Sequence, residues 1–191
     1  GAQAIAAMAL GTGTIKRVQK VFGPGNAYVV AAKRLLFGHV AIDLLPGPSE
    51  VLILADDSAN PVFIAADLLA QAEHGSGHER VWLVTTSSRV LDETRVEIAK
   101  QLPSLKRRRL IEQIEVVCVL AKDLKQAVAI ANEFAPEHCE LMTRNNPAFV
   151  RKIKTAGAIF IGPYSPTVVG DYVAGPSHTL PTGGAGRSFP G

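Results

Sequence analysis

The fold follows first from one stretch, Glu50-Val51-Leu52-Ile53-Leu54-Ala55, in which a run of apolar residues follows a single charged one. A strand with one face in water alternates apolar and polar residues, whereas a strand of a parallel sheet is covered on both faces and is apolar throughout. Similar short segments recur at residues 80–85, 114–120, 140–143 and 157–161. The pattern predicts an α/β fold with a mostly parallel sheet flanked by helices.

Helical segments separate these strands. Ser87 or Ser88 is a good N-cap for the segment that follows the second strand, and Pro103 ends that segment. Helices are predicted at residues 1–10, 26–36, 62–73, 87–101, 105–113, 123–134 and 147–155, with further short extended segments at 18–22 and 40–44.

The composition describes a folded chain with no strong preference for a macromolecular partner. Of its 191 residues, 47% are hydrophobic, which is enough for a real core. The net charge of +3 and the pI near 9.0 suit an anionic ligand such as a dinucleotide and are too weak to indicate nucleic acid. The strongest charge run, Lys106-Arg107-Arg108-Arg109, spreads around a helix and indicates a solvated surface.

Cysteine usage and the apolar runs predict a cytoplasmic protein. Cys118 and Cys139 form no C-x-x-C pair and no disulfide framework, so a reducing compartment is expected. No apolar run reaches the ~20 residues that span a bilayer, and residues 1–10 lack the basic start of a signal peptide. The missing initiator Met and the Gly-rich residues 183–191 lead us to expect a piece of a longer protein.

Residues 71–74, Gln71-Ala72-Glu73-His74, end a predicted helix and bring two ligating side chains to one face. Gln71 and His74 are three residues apart, so they lie about one turn from each other. An amide oxygen and a neutral imidazole placed there can hold a divalent metal or a polar substrate. A histidine near the last carbonyls of a helix is also ordinary, and glutamine is an uncommon zinc ligand. The spacing leaves both interpretations open.

Glu137 and His138 place a carboxylate beside an imidazole. Pro136 ends the preceding helix and favours an extended Ala135. In an extended chain Glu137 and His138 point to opposite sides, so both serve one site only in a bent loop. The pair is either a solvated loop pair or a proton-transfer pair, for which imidazole has a suitable pKa unaided and a carboxyl group needs burial.

Three turn-rich segments carry the other candidates. Phe22-Gly23-Pro24-Gly25-Asn26 follows a strand and opens a helix, where glycines let backbone N–H groups approach a phosphate, although a plain tight turn has the same pattern. Pro46-Gly47-Pro48-Ser49-Glu50 stiffens the start of the central strand. Residues 170–182 read as a long loop, a kind that is functional or disordered, and contain Asp171 and His178. Without further context His178 is an exposed loop residue.

These motifs, in this order, resemble those of histidinol dehydrogenase, the zinc enzyme that oxidises histidinol to histidine with NAD. The resemblance extends from Gly1-Ala2-Gln3 to the Gly-rich last residues, with Pro46 where the family usually has Ala. It implies two incomplete Rossmann-like units: residues 1–46 as part of a first unit with NAD contacts, and residues 47–191 as a second unit with the active-site loops. It also implies a homodimer in the full-length form, with histidinol as the small-molecule substrate and no nucleic acid or membrane partner.

The resemblance implies a role for each motif. His138 would be the general base that removes the alcohol proton, and Glu137 would activate the water that hydrates the aldehyde. The implied contacts are Gln71, His74 and Asp171 to one Zn²⁺ per site; Ser49, Gln71, His74, His138, Asp171 and His178 to histidinol; and Gln3 and Asn26 to NAD.

The enzyme implied in this way has parts that these residues do not supply. Family members have an N-terminal region with a further NAD contact, and a C-terminal tail from the partner subunit with a Glu and a fourth zinc ligand, a His. We therefore expect the isolated chain to bind zinc weakly and to turn over little. The alternatives are a non-catalytic ligand-binding fragment or paralogue on the same scaffold, another NAD-dependent alcohol or aldehyde oxidoreductase and, last, a nucleic-acid module. A plant parent would make a plastid location an alternative to the cytoplasm.

Overall fold

The computed structural model describes residues 1–74, 77–175 and 179–188, with the backbone but not the side chain of Asp171. The chain divides into two compact units, Gly1–Gly47 and the residues from Pro48 onward. This division lies one residue after the boundary expected from the sequence. The Rossmann-like relationship of the two units and the NAD contacts of the first stay predictions.

The first unit combines two helices with a two-stranded parallel sheet. Helices α1 (Ala2–Leu10) and α2 (Ala27–Leu36) contact each other, and strands β1 (Lys20–Val21) and β2 (Ala41–Ile42) pair in parallel. Its small core consists of Ile5, Ala9, Val21 and Val40. Both strands are shorter than the extended segments that the sequence predicts at 18–22 and 40–44.

The second unit is built on a parallel sheet of five strands among the described residues. These are β3 (Glu50–Ala55), β4 (Arg80–Thr85), β5 (Val116–Leu120), β6 (His138–Met142) and β7 (Ala158–Ile161), in the spatial order β5-β4-β3-β6-β7. Every neighbouring pair is parallel. The α/β class is therefore confirmed, and the apolar strand β3 is central and buried along its whole length.

Helices connect these strands and cover the sheet. They are α3 (Pro61–Ala72) after β3, α4 (Ser88–Gln101) and the short α5 (Arg108–Ile111) after β4, α6 (Leu124–Phe134) after β5, α7 (Asn146–Val150) after β6 and α8 (Thr167–Tyr172) after β7. Side chains cap three of the helices, because Asn60, Ser87 and Asp123 each accept a backbone N–H of the first turn. The described residues contain no helix with the length and apolar character needed to cross a membrane.

The strands separate two cores. Val51, Ile53 and Met142 pack with residues of α3 on one face, whereas Leu52 and Leu141 pack with residues of α6 on the other. Residues two apart along a strand share a face, so His138 and Glu140 lie on the α3 side of the sheet with Met142. The sheet thus places polar groups of β6 under the helix that carries Gln71.

Several local predictions differ from the structure, among them the helix predicted at 147–155, which is Asn146–Val150, and the strand predicted at 114–120, which begins at Val116. Strand β6 begins at His138 rather than at residue 140, so His138 is a strand residue. Residues 170–172 belong to α8 and not to a loop, and the helix predicted at 105–113 shortens to Arg108–Ile111. Ala135 has φ 52° and ψ 62°, the left-handed conformation, instead of an extended one. Its N–H closes the last turn of α6 onto the carbonyl of Ala131, and this capping bond outweighs the preference of a residue before proline.

Candidate active site

The backbone of one residue, Glu50, holds both members of the Glu-His pair. Oε2 of Glu137 accepts the backbone N–H of Glu50 at 3.0 Å, and Nδ1 of His138 lies 3.0 Å from the Glu50 carbonyl oxygen. The same Glu137 oxygen is 3.7 Å from Nδ1 of His138, and both side chains are buried. The structure therefore brings the pair together without the bent loop that the sequence suggested, because the two side chains converge on the first residue of the neighbouring strand.

This contact selects the tautomer of the neutral His138 ring. A carbonyl oxygen only accepts hydrogen bonds, so Nδ1 must carry the proton that it donates to Glu50. Nε2 then holds the lone pair of the neutral ring. A histidine oriented in this way has the arrangement that a general base needs, because a backbone group sets both the tautomer and the plane of the ring.

Close backbone packing fixes the position of Glu137. Its carbonyl oxygen accepts the N–H of Ala158 at 2.9 Å, and the preceding Gly157 donates to the carbonyl of Pro136 at 3.0 Å. A Cβ atom on Gly157 would lie 2.8 Å from the carbonyl oxygen of Glu137 and 3.0 Å from Cδ of Pro181. Only glycine fits between these groups, so the close packing at the start of β7 constrains the backbone position of Glu137.

The Glu50 side chain ties further segments to the same place. Its Oε1 accepts hydrogen bonds from Nη1 of Arg80 at 3.0 Å and from the backbone N–H of Gly183 at 3.2 Å. The side chain is only 1% exposed, and its burial raises the pKa of the Glu50 carboxyl above its ordinary value, an effect that the charge of Arg80 opposes. Glu50 thus joins β3, β4 and the segment that contains Gly183.

These residues lie at the amino-terminal edge of the sheet. Glu50 begins β3, His138 begins β6, and the carbonyl of Ser49 accepts the N–H of Arg80, the first residue of β4. Ligands of open parallel sheets usually bind at the opposite, carboxyl-terminal edge. At that edge the carboxylate of Asp56, which follows β3, accepts the N–H groups of Ser58 and Arg144 and bridges the loops after β3 and β6.

Gln71 comes to the same edge from α3. This helix follows β3 and precedes the parallel strand β4, so it returns from the carboxyl edge to the amino edge and ends there. Gln71 is 4% exposed and its Nε2 makes no hydrogen bond to any described residue, whereas His74, just after the helix, is exposed. A buried amide without a partner is costly, so this position fits a side chain whose partner is a bound ligand.

The predicted zinc set is described only in part. Within residues 1–74, 77–175 and 179–188, no three His, Cys, Asp or Glu side chains form a metal-holding group. This result does not cover the predicted set, because Gln71 is a glutamine and the side chain of Asp171 lies outside the described atoms. Asp171 is placed by its backbone in α8, and His178 falls outside the described residues. The group of Gln71 without a partner is Nε2, a hydrogen-bond donor that fits an acceptor atom of a bound molecule, whereas a metal would bind the amide oxygen.

In the first unit a buried ion pair holds the glycine turn. Nζ of Lys33 donates to the carbonyl of Gly23 at 2.5 Å and to Oδ1 of Asp43 at 2.6 Å, while Oδ2 of Asp43 accepts the N–H of Gly23 at 2.7 Å. Lys33 is 1% exposed. The pKa of Asp43 is lowered, because hydrogen bonds from Lys33, Gly23 and Leu44 outweigh the opposing effect of burial. Both backbone groups of Gly23 are therefore clamped.

The two NAD candidates have different surroundings. Oδ1 of Asn26 accepts the backbone N–H groups of Tyr28 and Val29, both at 3.2 Å, and so caps α2. The group of Asn26 that can donate to a cofactor is then its Nδ2. Gln3 is exposed on α1.

Sequence reasoning missed the residues that support the candidate groups within each unit. Glu50, Arg80, Lys33 and Asp43 received no role, although a charge at the start of an otherwise apolar strand was a signal for Glu50. Nothing in the pattern of α2 marks Lys33, because its burial depends on Asp43 and Gly23, both ten residues away along the chain.

Comparison with known proteins places this arrangement in a family. The family model described as "Histidinol dehydrogenase" matches residues 1–191. The histidinol dehydrogenase of Thermus thermophilus is 50% identical over 189 residues, covering 98% of this chain and 46% of that protein. That of Halalkalibacterium halodurans is 50% identical over 191 residues, covering 98% and 45%.

A solved structure agrees with these relatives. The crystal structure of histidinol dehydrogenase from Elizabethkingia anophelis matches with a TM-score of 0.95 and 44% identity, covering 99% of this chain and 44% of that chain. The chain therefore spans less than half of the length of the curated relatives that it matches.

Proposed function

The chain belongs to the histidinol dehydrogenase family, and from this membership we propose that it serves the oxidation of L-histidinol to L-histidine, through histidinaldehyde, with NAD and zinc. The observation that carries the proposal is the Glu137–His138 pair held by the backbone N–H and C=O of Glu50, the first residue of β3. The reaction removes four electrons in two hydride transfers. These are the last steps of histidine biosynthesis, and bacterial relatives support a cytoplasmic location.

His138 is the proposed general base. Its Nδ1–H is committed to the Glu50 carbonyl, so Nε2 takes the proton of the substrate alcohol as hydride leaves. The imidazolium formed in this step lies beside the carboxylate of Glu137, whose Oε2 is 3.7 Å from Nδ1. Opposite charges at this distance in a buried site stabilise each other.

Glu137 is proposed to act in the second half of the reaction. Its carboxylate is oriented by the N–H of Glu50, and its backbone is fixed by Gly157 and Ala158. A carboxylate held in this way can orient and deprotonate the water that adds to the aldehyde. The neighbouring His138 then serves both oxidations from one position.

The side chains proposed to hold zinc are Gln71, His74 and Asp171, and those proposed to contact the substrate also include Ser49 and His178. Zinc, when bound, would orient the amine and imidazole of histidinol. The resemblance assigns a Glu and a fourth zinc ligand to a tail of the partner subunit, so we propose a homodimer for the complete enzyme. The unpartnered, buried Nε2 of Gln71 supports a bound molecule with a hydrogen-bond acceptor at this place, with the amide oxygen left as the proposed zinc ligand.

NAD, when bound, would accept the hydrides, and Gln3 and Asn26 are its proposed contacts. Asn26 allows a sharp test because its two roles separate. Asn26→Ser keeps an oxygen that caps α2 and removes Nδ2, whereas Asn26→Ala removes both. If Nδ2 contacts NAD, both variants should weaken NAD binding, and only Asn26→Ala should also destabilise α2. Unchanged NAD affinity in Asn26→Ser would remove Asn26 from the cofactor site.

The function is best tested in a chimera, because the chain matches less than half of each relative. The chain replaces its matched segment in the Thermus thermophilus enzyme. We expect this protein to convert histidinol to histidine with two NADH formed per substrate. His138→Asn should lower kcat about 10²- to 10⁴-fold, as loss of a general base does. Glu115→Gln, at an exposed position, is the control.

The alternatives give different results in the same assay. A non-catalytic binding domain gives a folded chimera that binds zinc and histidinol calorimetrically but forms no NADH. Another alcohol or aldehyde oxidoreductase gives turnover with other substrates and none with histidinol. DNA binding that falls steeply with salt would support the nucleic-acid module. For the isolated chain we expect weak zinc binding and little NADH, and steady turnover would contradict the proposed need for the partner's tail.

A further inference from the structure

A second acidic pair lies beneath the candidate site. The carboxyl groups of Asp67 of α3 and Glu140 of β6 interact with each other on the α3 side of the sheet. Glu140 is 1% exposed, and Asp67 is half-buried. Neither residue has a role in the proposed chemistry, although each lies close in sequence to a residue that does.

The contacts of Glu140 require a proton. Its Oε1 accepts the backbone N–H of Thr167 at 3.0 Å, whereas no N–H or O–H of the described residues reaches Oε2. The side chain of Thr167 and the carboxyl group of Asp67 also interact with Glu140. Two ionised carboxylates only accept hydrogen bonds and repel each other, but one proton between them makes a short, strong O–H···O⁻ bond.

The surroundings favour that proton. Burial raises the pKa of Glu140 well above its ordinary value, and the charge of Asp67 raises it further. Burial also raises the pKa of Asp67, to about 6. His138 shares this face of β6, Cys139 points to the other face, and the strand neighbours of Glu140 are the uncharged Ile53 and Phe160. Among the described residues Thr167 is the donor from α8, and no cation is paired with Glu140.

We propose that Asp67 and Glu140 are positioning residues that share one proton at neutral pH and so hold together the three elements that carry Gln71, His138 and Asp171. Asp67 is one turn before Gln71 in α3. Glu140 is two residues after His138 in β6, on the same face. Thr167 is one turn before Asp171 in α8. The relation to catalysis rests on the proposed function, but the shared proton does not depend on zinc, NAD or histidinol.

The proton is tested by the pH dependence of unfolding of the chain. Between the unfolded and the folded pKa values, the folded pair binds one proton more than the unfolded chain. In this range the folding equilibrium constant should fall about ten-fold for each unit by which the pH rises. In Glu140→Gln the amide donates to Asp67 without a titrating proton, and its oxygen still accepts from Thr167. This variant should lose most of that slope and keep its stability at pH 8. Glu115→Gln, an exposed control, should keep the wild-type slope.

A spectroscopic signature gives a second measurement. At pH 7 the infrared spectrum of the wild-type chain should contain the C=O stretch of one buried carboxylic acid, which Glu140→Gln removes. Asp67→Asn should also remove this band, because its amide donates to Glu140 in place of the shared proton. It is the alternative variant if Glu140→Gln does not fold. Absence of the acid band at pH 7, or an unchanged pH slope in the folded amide variants, would overturn the proposal.

The positioning role is tested in the chimera by rescue. Glu140→Leu leaves Thr167 N–H and Asp67 without their partner and should lower kcat/KM more than ten-fold, whereas Glu140→Gln should restore it and flatten the alkaline limb of the pH profile. Equal losses in the two variants would reject the positioning role. An inactive wild-type chimera would instead reject the proposed function, and the shared proton would still be decided by the unfolding and infrared measurements.

Discussion

The two units bury acidic side chains in opposite ways. In the first unit Asp43 stays ionised against the buried Lys33, and its pKa is lowered. In the second unit Glu140 faces another carboxyl group, Asp67, and its pKa is raised. Burial penalises the charge in both cases, so the partner decides the sign: a cation and N–H donors keep the ion, and a second acid retains a proton. The first pair orders a turn through opposite charges, and the second joins three elements through a shared proton.

The largest expected effect breaks the first pair. Lys33→Met leaves the carboxylate of Asp43 with backbone donors only, and should destabilise the first unit by about 3 kcal/mol, as is typical when one partner of a buried pair is removed. Hydrogen exchange of the β1 and β2 amides measures this loss. Lys16→Met, at an exposed position in the same unit, should change little.

The same variant also changes the response to acid. The pKa of Asp43 is lowered, so its contribution is present above the unfolded value of 3.8 and is lost as pH falls through the folded value. Lys33→Met should remove most of this acid-dependent loss, whereas Glu140→Gln acts at higher pH and with the opposite sign. Identical pH profiles for the two variants would contradict the contrast between the units.

The second expected effect concerns the close contact between Gly157 and the backbone of Glu137 in the second unit. Gly157→Ala places Cβ against the carbonyl oxygen of Glu137, at 2.8 Å in the present geometry, and should cost about 2 kcal/mol as overpacking does. Activity of the chimera should fall as well, because Glu137 must shift. Gly13→Ala, where an added Cβ meets nothing within 4 Å, is the matched control. Equal stability of the two variants in urea would show that β7 does not constrain Glu137.

A smaller effect is expected at Glu50, which combines features of both pairs. Arg80→Met removes the cation beside this buried carboxyl, but Arg80 is 47% exposed, so the expected loss is about 1 kcal/mol at pH 7. The pKa of Glu50, already raised, should rise further, so the loss should shrink as pH falls toward 4.5. Urea unfolding at several pH values measures it, with the exposed Arg109→Met as control. A loss that grows in acid would contradict this sign.

The smallest effect on stability is expected for a solvent-exposed ion pair. Arg89 and Glu93 form an ion pair at 2.6 Å on α4, with side chains 53% and 50% exposed. Glu93→Gln should change the free energy of unfolding by less than about 0.5 kcal/mol. A larger loss, measured by urea unfolding in low and high salt, would show that exposure does not separate this pair from Lys33–Asp43.

Local signals in the sequence were sufficient for the elements of the second unit. The bounds of β3 and β4 follow from their apolar runs, and Ser87 and Asp123 mark helix starts by their capping chemistry. The end of α6 was less predictable, because the left-handed Ala135 depends on a capping bond that competes with Pro136. Residue types suggested Glu137 and His138 for the site, but not that Glu50 would hold both.

By itself, the sequence determined the α/β class, the apolar central strand and the candidate groups at Gln71, His74, Glu137 and His138, because periodicity and side-chain chemistry are local properties. The tertiary structure decided the tautomer of His138, the charge of Asp43 and the proton between Asp67 and Glu140. These depend on burial and on partners brought from distant positions, such as Glu50 to His138, 88 residues away. A protonation state is set by the whole environment of a group, and folding creates that environment.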